Sequence, residues 1–149
     1  RPDIMIRRAD TLTLDLFDVP APRPSYPGSL NFNLPIRHVL SDILKSSPKS
    51  RSEVASQMAE LTGDHISIHS INAWTAESRD GHRFPLEYLA AFEVASETTA
   101  LTAWIASVRG GKVLMGKEAL DAEIGKLERL RDEAMKQIKL LKRAMGDKE

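Results

Sequence analysis

The spacing of apolar positions changes along the chain, and the changes divide it into an arm, a helical domain and a long terminal helix. Residues 1–33 carry no helical period. "TLTLDLFD" alternates polar positions with Leu12, Leu14 and Leu16, and "VPAPRPSYPG" is a proline-rich stretch that favours extended backbone. This stretch is expected to be an extended arm that adds to a sheet edge, lies in a groove or docks on another subunit; a solvated linker is the alternative.

From Leu34 the period becomes helical. In "PIRHVLSDILKSS", Ile36, Val39, Leu40, Ile43 and Leu44 share one face, with Pro35 in the first turn and Pro48 beyond the end. "SRSEVASQMAELTG" opens on Ser50 with Glu53 three residues on, a capping box, turns Val54, Ala55, Met58, Ala59 and Leu61 inward, and stops at Gly63. Ser67 caps a third helix to about Glu77, with Ile68, Ile71 and Trp74 facing the core, before "SRDG" breaks the chain. Helix resumes at Pro85 through "PLEYLAAFEVAS", and again from Thr98 through "TALTAWIASV" to Gly110–Gly111. The expected fold class is therefore all-α, a small five-helix domain over residues 34–112.

Residues 113–149 follow another rule. Leu120, Ile124, Leu127, Arg131, Ala134, Ile138, Leu141 and Met145 recur in steps of four and three, a heptad with Ile at a and Leu at d. A coiled-coil helix is expected, roughly 45 Å long at about 1.5 Å per residue, whose seam calls for other copies of the chain. Ile at a with Leu at d favours a parallel dimer, while Arg131 at an a position and the extra apolar Leu130, Met135 and Leu140 leave higher orders open. The alternative is an amphipathic helix folded back on its own domain.

The second and third helices form a candidate helix-turn-helix, which would lay the third in a major groove. With Ile68, Ile71 and Trp74 inward, the base-contacting set is Ser67, His69, Ser70, Asn72, Ala73, Thr75 and Ala76. Asn pairs with adenine, Ser and Thr reach bases or phosphates, and Ala or Thr methyls touch thymine. Lys45, Lys49, Arg51, Arg79 and Arg83 are the candidates for phosphate. The alternative is a helical interaction domain whose third helix shows its polar face to water.

Composition narrows the partners. Of 149 residues 42% are hydrophobic and 28% charged, and Lys plus Arg equal Asp plus Glu at 21 each. Without a global positive field, a general nucleic-acid coat is disfavoured, whereas a specific reader needs only a few well-placed cations. The chain has no cysteine, which removes disulfides, thiolate zinc sites and cysteine nucleophiles and suits a reducing bacterial cytoplasm. No apolar run is long enough to span a bilayer, no signal-peptide pattern is present, and the start at Arg-Pro-Asp is read as truncated or processed.

No catalytic centre, metal or cofactor is expected. His65 and His69 are four apart, but His65 precedes the cap at Ser67, and Asp64 or His82 as a third ligand is not fixed by spacing. Ser70, His69 and Asp80 supply the residue types of a triad without its geometry or an oxyanion turn, and "RGGK" at Arg109–Lys112 lacks the context of a phosphate loop.

"SEVASQMAELTG" and "SIHSINAW", followed by "HRFPLEYLAAFEVASETTALTAWIAS", resemble the DNA-binding domains of phage-type transcriptional regulators. These are the lambda-repressor-like and CII-like families and similar proteins of Mu-like phages and prophages. The resemblance covers roughly residues 34–112. It implies that Ala55 is the buried alanine of the first motif helix and that Ile71 and Trp74 are the apolar anchors of the recognition helix. The interval from Ala55 to Ile71 is about six residues longer than the compact motif. The function expected is sequence-specific binding of double-stranded DNA by an oligomeric regulator in the bacterial host cytoplasm. The alternative is a structural or adaptor protein that assembles through its coiled coil and captures a partner with its arm.

Overall fold

Each periodic stretch becomes a helix in the computed structural model, which describes residues 20–146. The elements are α1 (Asn33–Ser46), α2 (Arg51–Thr62), α3 (Ile68–Thr75), α4 (Leu89–Ser96), α5 (Ala100–Val108) and α6 (Lys117–Ala144), with short 3-10 turns at Glu77–Arg79 and Leu86–Tyr88. Among the described residues there is no strand beyond an isolated antiparallel bridge between Pro22 and Arg109. The alternating stretch Thr11–Asp18 lies outside the described residues. The chain divides into two compact units between Lys112 and Val113.

In the first unit, helix starts and stops follow local chemistry. Asn31 Oδ1 accepts from the Asn33 N–H (3.2 Å) at the start of α1. Ser50 and Glu53 form a reciprocal capping box on α2, and Gly63, at φ 74°, ends that helix in the left-handed conformation that glycine adopts without strain. Glu97 ends α4 in the same region at φ 57° without that advantage. The buried Glu93 carboxylate accepts from the Thr102 N–H (3.1 Å) and from the Thr102 hydroxyl, placing a negative charge at the amino end of α5.

The core is Leu40, Ile43 and Leu44 of α1, Val54, Ala55 and Met58 of α2, Ile66, then Ile71 and Trp74 of α3, Ala91, Phe92 and Ala95 of α4, and Leu101 of α5. Trp74 sits among aromatics, edge-on to Phe84 (5.2 Å between ring centroids) and tilted against Tyr88 (5.9 Å), and Phe84 in turn meets Phe92 at 5.6 Å. The expected arm, exposed over most of residues 20–31, meets this unit at Pro22–Arg23 and at Phe32. The Arg23 N–H donates to Val108 O (3.0 Å), the Arg23 guanidinium lies over the Phe32 ring, and Phe32 meets Trp104 edge-on at 5.5 Å.

Some expectations need correction. Leu61 is 52% exposed and Ile68 39% exposed, so neither is a core anchor. Ile68 opens α3, and a first-turn residue that precedes the Ile71–Trp74 stripe falls outside the packed face. α3 stops at Thr75 and not at Glu77, because Ala76 turns to extended backbone and the next residues form a 3-10 turn. Helix after Pro85 likewise begins as the 3-10 turn Leu86–Tyr88 before α4.

The second unit is α6, 28 residues or about 42 Å of helix. Its heptad positions share one face, and none of its side chains is buried: Leu120, Ile124, Leu127, Ile138, Leu141 and Met145 are all exposed. Arg131, at the polar a position, pairs with its neighbour Asp132 at 3.2 Å. A stripe of this extent has no counterpart to bury it within the unit itself.

Candidate nucleic-acid interface

α3 is fixed from four directions. Ile71 (1% exposed) and Trp74 (9%) hold it to the core. Ahead of it, the buried Ile66 pins the connecting segment, and the Tyr88 hydroxyl donates to Asp64 Oδ2 at 2.8 Å. That hydrogen bond to the Asp64 carboxylate, helped by desolvation, holds the Tyr88 phenol above its usual pKa.

Behind α3, Arg37 of α1 reaches in from a position 2% exposed. Its Nη1 donates to the carbonyls of Ala73 (2.9 Å), Ala76 (2.8 Å) and Trp74 (3.3 Å). Its Nη2 donates to His82 O (2.8 Å) and Asn33 Oδ1 (3.4 Å). A guanidinium offers only donors in a planar fork, and the last turn of a helix offers only unsatisfied carbonyls, so the two are complementary in hydrogen bonding and in dipole. Outside this clamp His38 pairs with Glu77, joining α1 to the 3-10 turn that follows α3.

The fourth restraint lies on the exposed face. Arg51, the first residue of α2, donates from Nη1 to Asn72 Oδ1 (3.0 Å) and Thr75 Oγ1 (2.8 Å). Thr75 passes its own hydroxyl proton back to Ile71 O (3.0 Å).

These bonds sort the expected base-contacting residues. Asn72 and His69 are exposed on the outward face. Ala73 is a correction: it is 5% exposed, and a position beside Trp74 on the core stripe cannot reach a groove. Ser70 is half-buried, and its Oγ accepts from the Ser67 N–H (3.3 Å), so this pair closes the start of α3. Thr75 spends its hydroxyl on Arg51 and Ile71, and Ala76 is half-buried beyond the helix end. Ile68 takes the vacated place. Exposed and one turn before Asn72, it gives the outward face Ile68, His69 and Asn72, an apolar patch beside two polar side chains.

Of the expected phosphate contacts, Lys45 is exposed in the last turn of α1, and Lys49 donates to Gln57 Oε1 at 2.5 Å. Both stand at the α1–α2 connection that leads into Arg51. Arg79 and Arg83 are exposed in the segment after α3. The structure thus joins Arg51 to Asn72 and Thr75, and distributes the other cations before α2 and after α3. His65 lies in the non-helical segment before α3, and among the described residues no group of three His, Asp or Glu could hold a metal. No helix among them is long and apolar enough to cross a membrane.

Arg37 was the residue without a role in the sequence pattern, although its signal was there. It stands three residues before Leu40 and seven before Leu44, at the centre of the buried stripe of α1. An arginine in that register needs a set of acceptors. The longer interval between Ala55 and Ile71 also finds its place: α2 continues to Thr62, and a non-helical connection runs from Gly63 to Ser67.

No family model, curated protein or solved structure matches this chain.

Proposed function

We propose that this chain is a sequence-specific DNA-binding transcriptional regulator of phage or prophage type, active as an oligomer in the bacterial cytoplasm. The observation that carries the reading is the arrested α3: a short helix whose two ends and core side are held by Arg37, Asp64–Tyr88 and Trp74, and whose remaining face presents Ile68, His69 and Asn72 beside the Arg51 guanidinium. A probe for the major groove needs such a face, with donors and acceptors for base edges and an apolar group for the thymine methyl. Lys45, Arg79 and Arg83 then serve the phosphates.

α6 supplies the second half of the reading. With equal numbers of acidic and basic residues over the whole chain, a single copy has a weak general attraction for DNA. Copies joined through the Leu120–Met145 seam bind repeated or palindromic half-sites with a higher effective concentration.

The test is a selection from randomised duplexes with the full chain, followed by gel shift on the enriched sequence. A recurrent motif is expected, and removal of residues 113–149 is expected to abolish tight binding while the Trp74 emission of the folded domain persists. Uniform weak binding to every duplex would refute the reading and leave the adaptor alternative. Undiminished affinity of the shortened, monomeric chain would refute the role of α6.

A further inference from the structure

We infer that the Arg51–Asn72 pair makes this face a reader of guanine, an inference that rests on the DNA-binding reading above. Arg51 has donors only, so the amide of Asn72 must turn its oxygen toward the guanidinium, as the 3.0 Å contact from Nη1 to Oδ1 records. The Asn72 Nδ2, with its two N–H groups, is therefore not the group that meets Arg51, and it belongs to a residue exposed on the outward face. Thr75 holds Arg51 from a second side, accepting from the same Nη1 at 2.8 Å while its own proton is committed to Ile71 O. The guanidinium is thereby locked, and its Nη2 edge has no partner among the described residues.

Asn72 Nδ2 and Arg51 Nη2 are the donors left over on two side chains that the 3.0 Å contact joins. A free asparagine offers one acceptor and one donor, the complement of the N6–H and N7 edge of adenine. Here the acceptor is already engaged by Arg51, and what the pair has left to offer is donors alone, the complement of N7 and O6 of guanine. Adenine would set its N6–H against a donor, and cytosine would offer a donor alone. Arg51 is thus a specificity-determining residue that acts both by its own edge and by turning Asn72.

The test uses the full chain in a randomised-duplex selection read by sequencing. Guanine is expected at one position of each half-site, and replacing that guanine by 7-deazaguanine in the wild-type complex should weaken binding about tenfold. Asn72→Asp keeps an acceptor for Arg51 and removes the outward donor, so guanine preference should fall about tenfold with the thermal unfolding of the domain unchanged. Arg51→Met frees the amide and should move the preference at that position from guanine toward adenine. Adenine selected by the wild type at the position that Asn72→Asp disrupts, or a guanine preference that survives Arg51→Met, would overturn the inference while leaving DNA reading intact. Binding without any sequence preference would overturn both.

Discussion

Replacing Arg37 with alanine removes the cation that closes the carboxyl end of α3. Three of its contacts are short, to the carbonyls of Ala73 (2.9 Å), Ala76 (2.8 Å) and His82 (2.8 Å), and two are long. A hydrogen bond to a charged group contributes about 1.5–3 kcal/mol, and a stranded buried acceptor costs about 1–3 kcal/mol. Against this, the alanine variant no longer buries a guanidinium, at a desolvation cost of several kcal/mol, and no longer leaves its Nε unpartnered. About 1 kcal/mol net for each short contact and a similar amount for the packed aliphatic stem give a loss of about 3–4 kcal/mol. For a domain of this size that lowers Tm by about 15–30 °C. Urea unfolding followed by Trp74 and Trp104 emission, at one protein concentration because association shifts apparent stability, measures it. Arg37→Lys keeps the charge but not the planar fork and should recover less than half. An alanine variant within about 1 kcal/mol of wild type would show that the α3 carbonyls are satisfied without Arg37, and the clamp argument would fail.

Three further outcomes are expected. Glu97→Gly relieves a side chain held at φ 57° and should stabilise the domain by about 0.5–1 kcal/mol in the same urea titration; a loss of stability would count against left-handed strain at this cap. Gly110→Ala places a Cβ 2.5 Å from Pro22 N at a residue of φ 73°, so residues 21–23 must detach, and amide exchange at Arg23, whose N–H donates to Val108 O, should accelerate at least tenfold; unchanged exchange would refute the packing of this segment. The Glu53 carboxyl is held below its ordinary value of 4.5, first by the Ser50 N–H and then by the Ser50 hydroxyl. Because the folded pKa is the lower one, this stabilisation is complete above pH 4.5 and is lost as the pH falls through the folded value, so the Tm difference between wild type and Glu53→Gln should shrink in acid; a difference independent of pH between 7 and 3 would contradict the assignment.

The helices were legible because each carries its own punctuation. Ser50 with Glu53, Gly63, Pro85 and Gly110 mark ends by local backbone chemistry, and the apolar stripes mark faces, so α1, α2, α5 and α6 lie close to where the pattern puts them. The face of α3 was less legible, since an eight-residue helix has too few turns for periodicity to separate Ile68 from Ile71, or Ala73 from Asn72. What resolves them is tertiary: Trp74 takes its place among Phe84 and Tyr88, which sets the rotation of the helix and buries Ala73 beside it. The partners of Arg37 and Arg51 are likewise tertiary. Arg51 meets Asn72 and Thr75 more than twenty positions away, and side-chain bonds over that separation leave no periodic trace.

The clamp on α3 also bears on how such a protein can change over time. Stability draws on Arg37, Ile71, Ala73 and Trp74, whereas Ile68 and His69 carry none of the restraints described, and Asn72 is tied only through Arg51. Descendants are therefore free to exchange those few outward side chains while the scaffold beneath stays intact; under the proposed DNA reading, the sequence recognised changes with them. In that proposed reading, a single substitution at such a position founds a new specificity without first requiring a compensating repair of the fold.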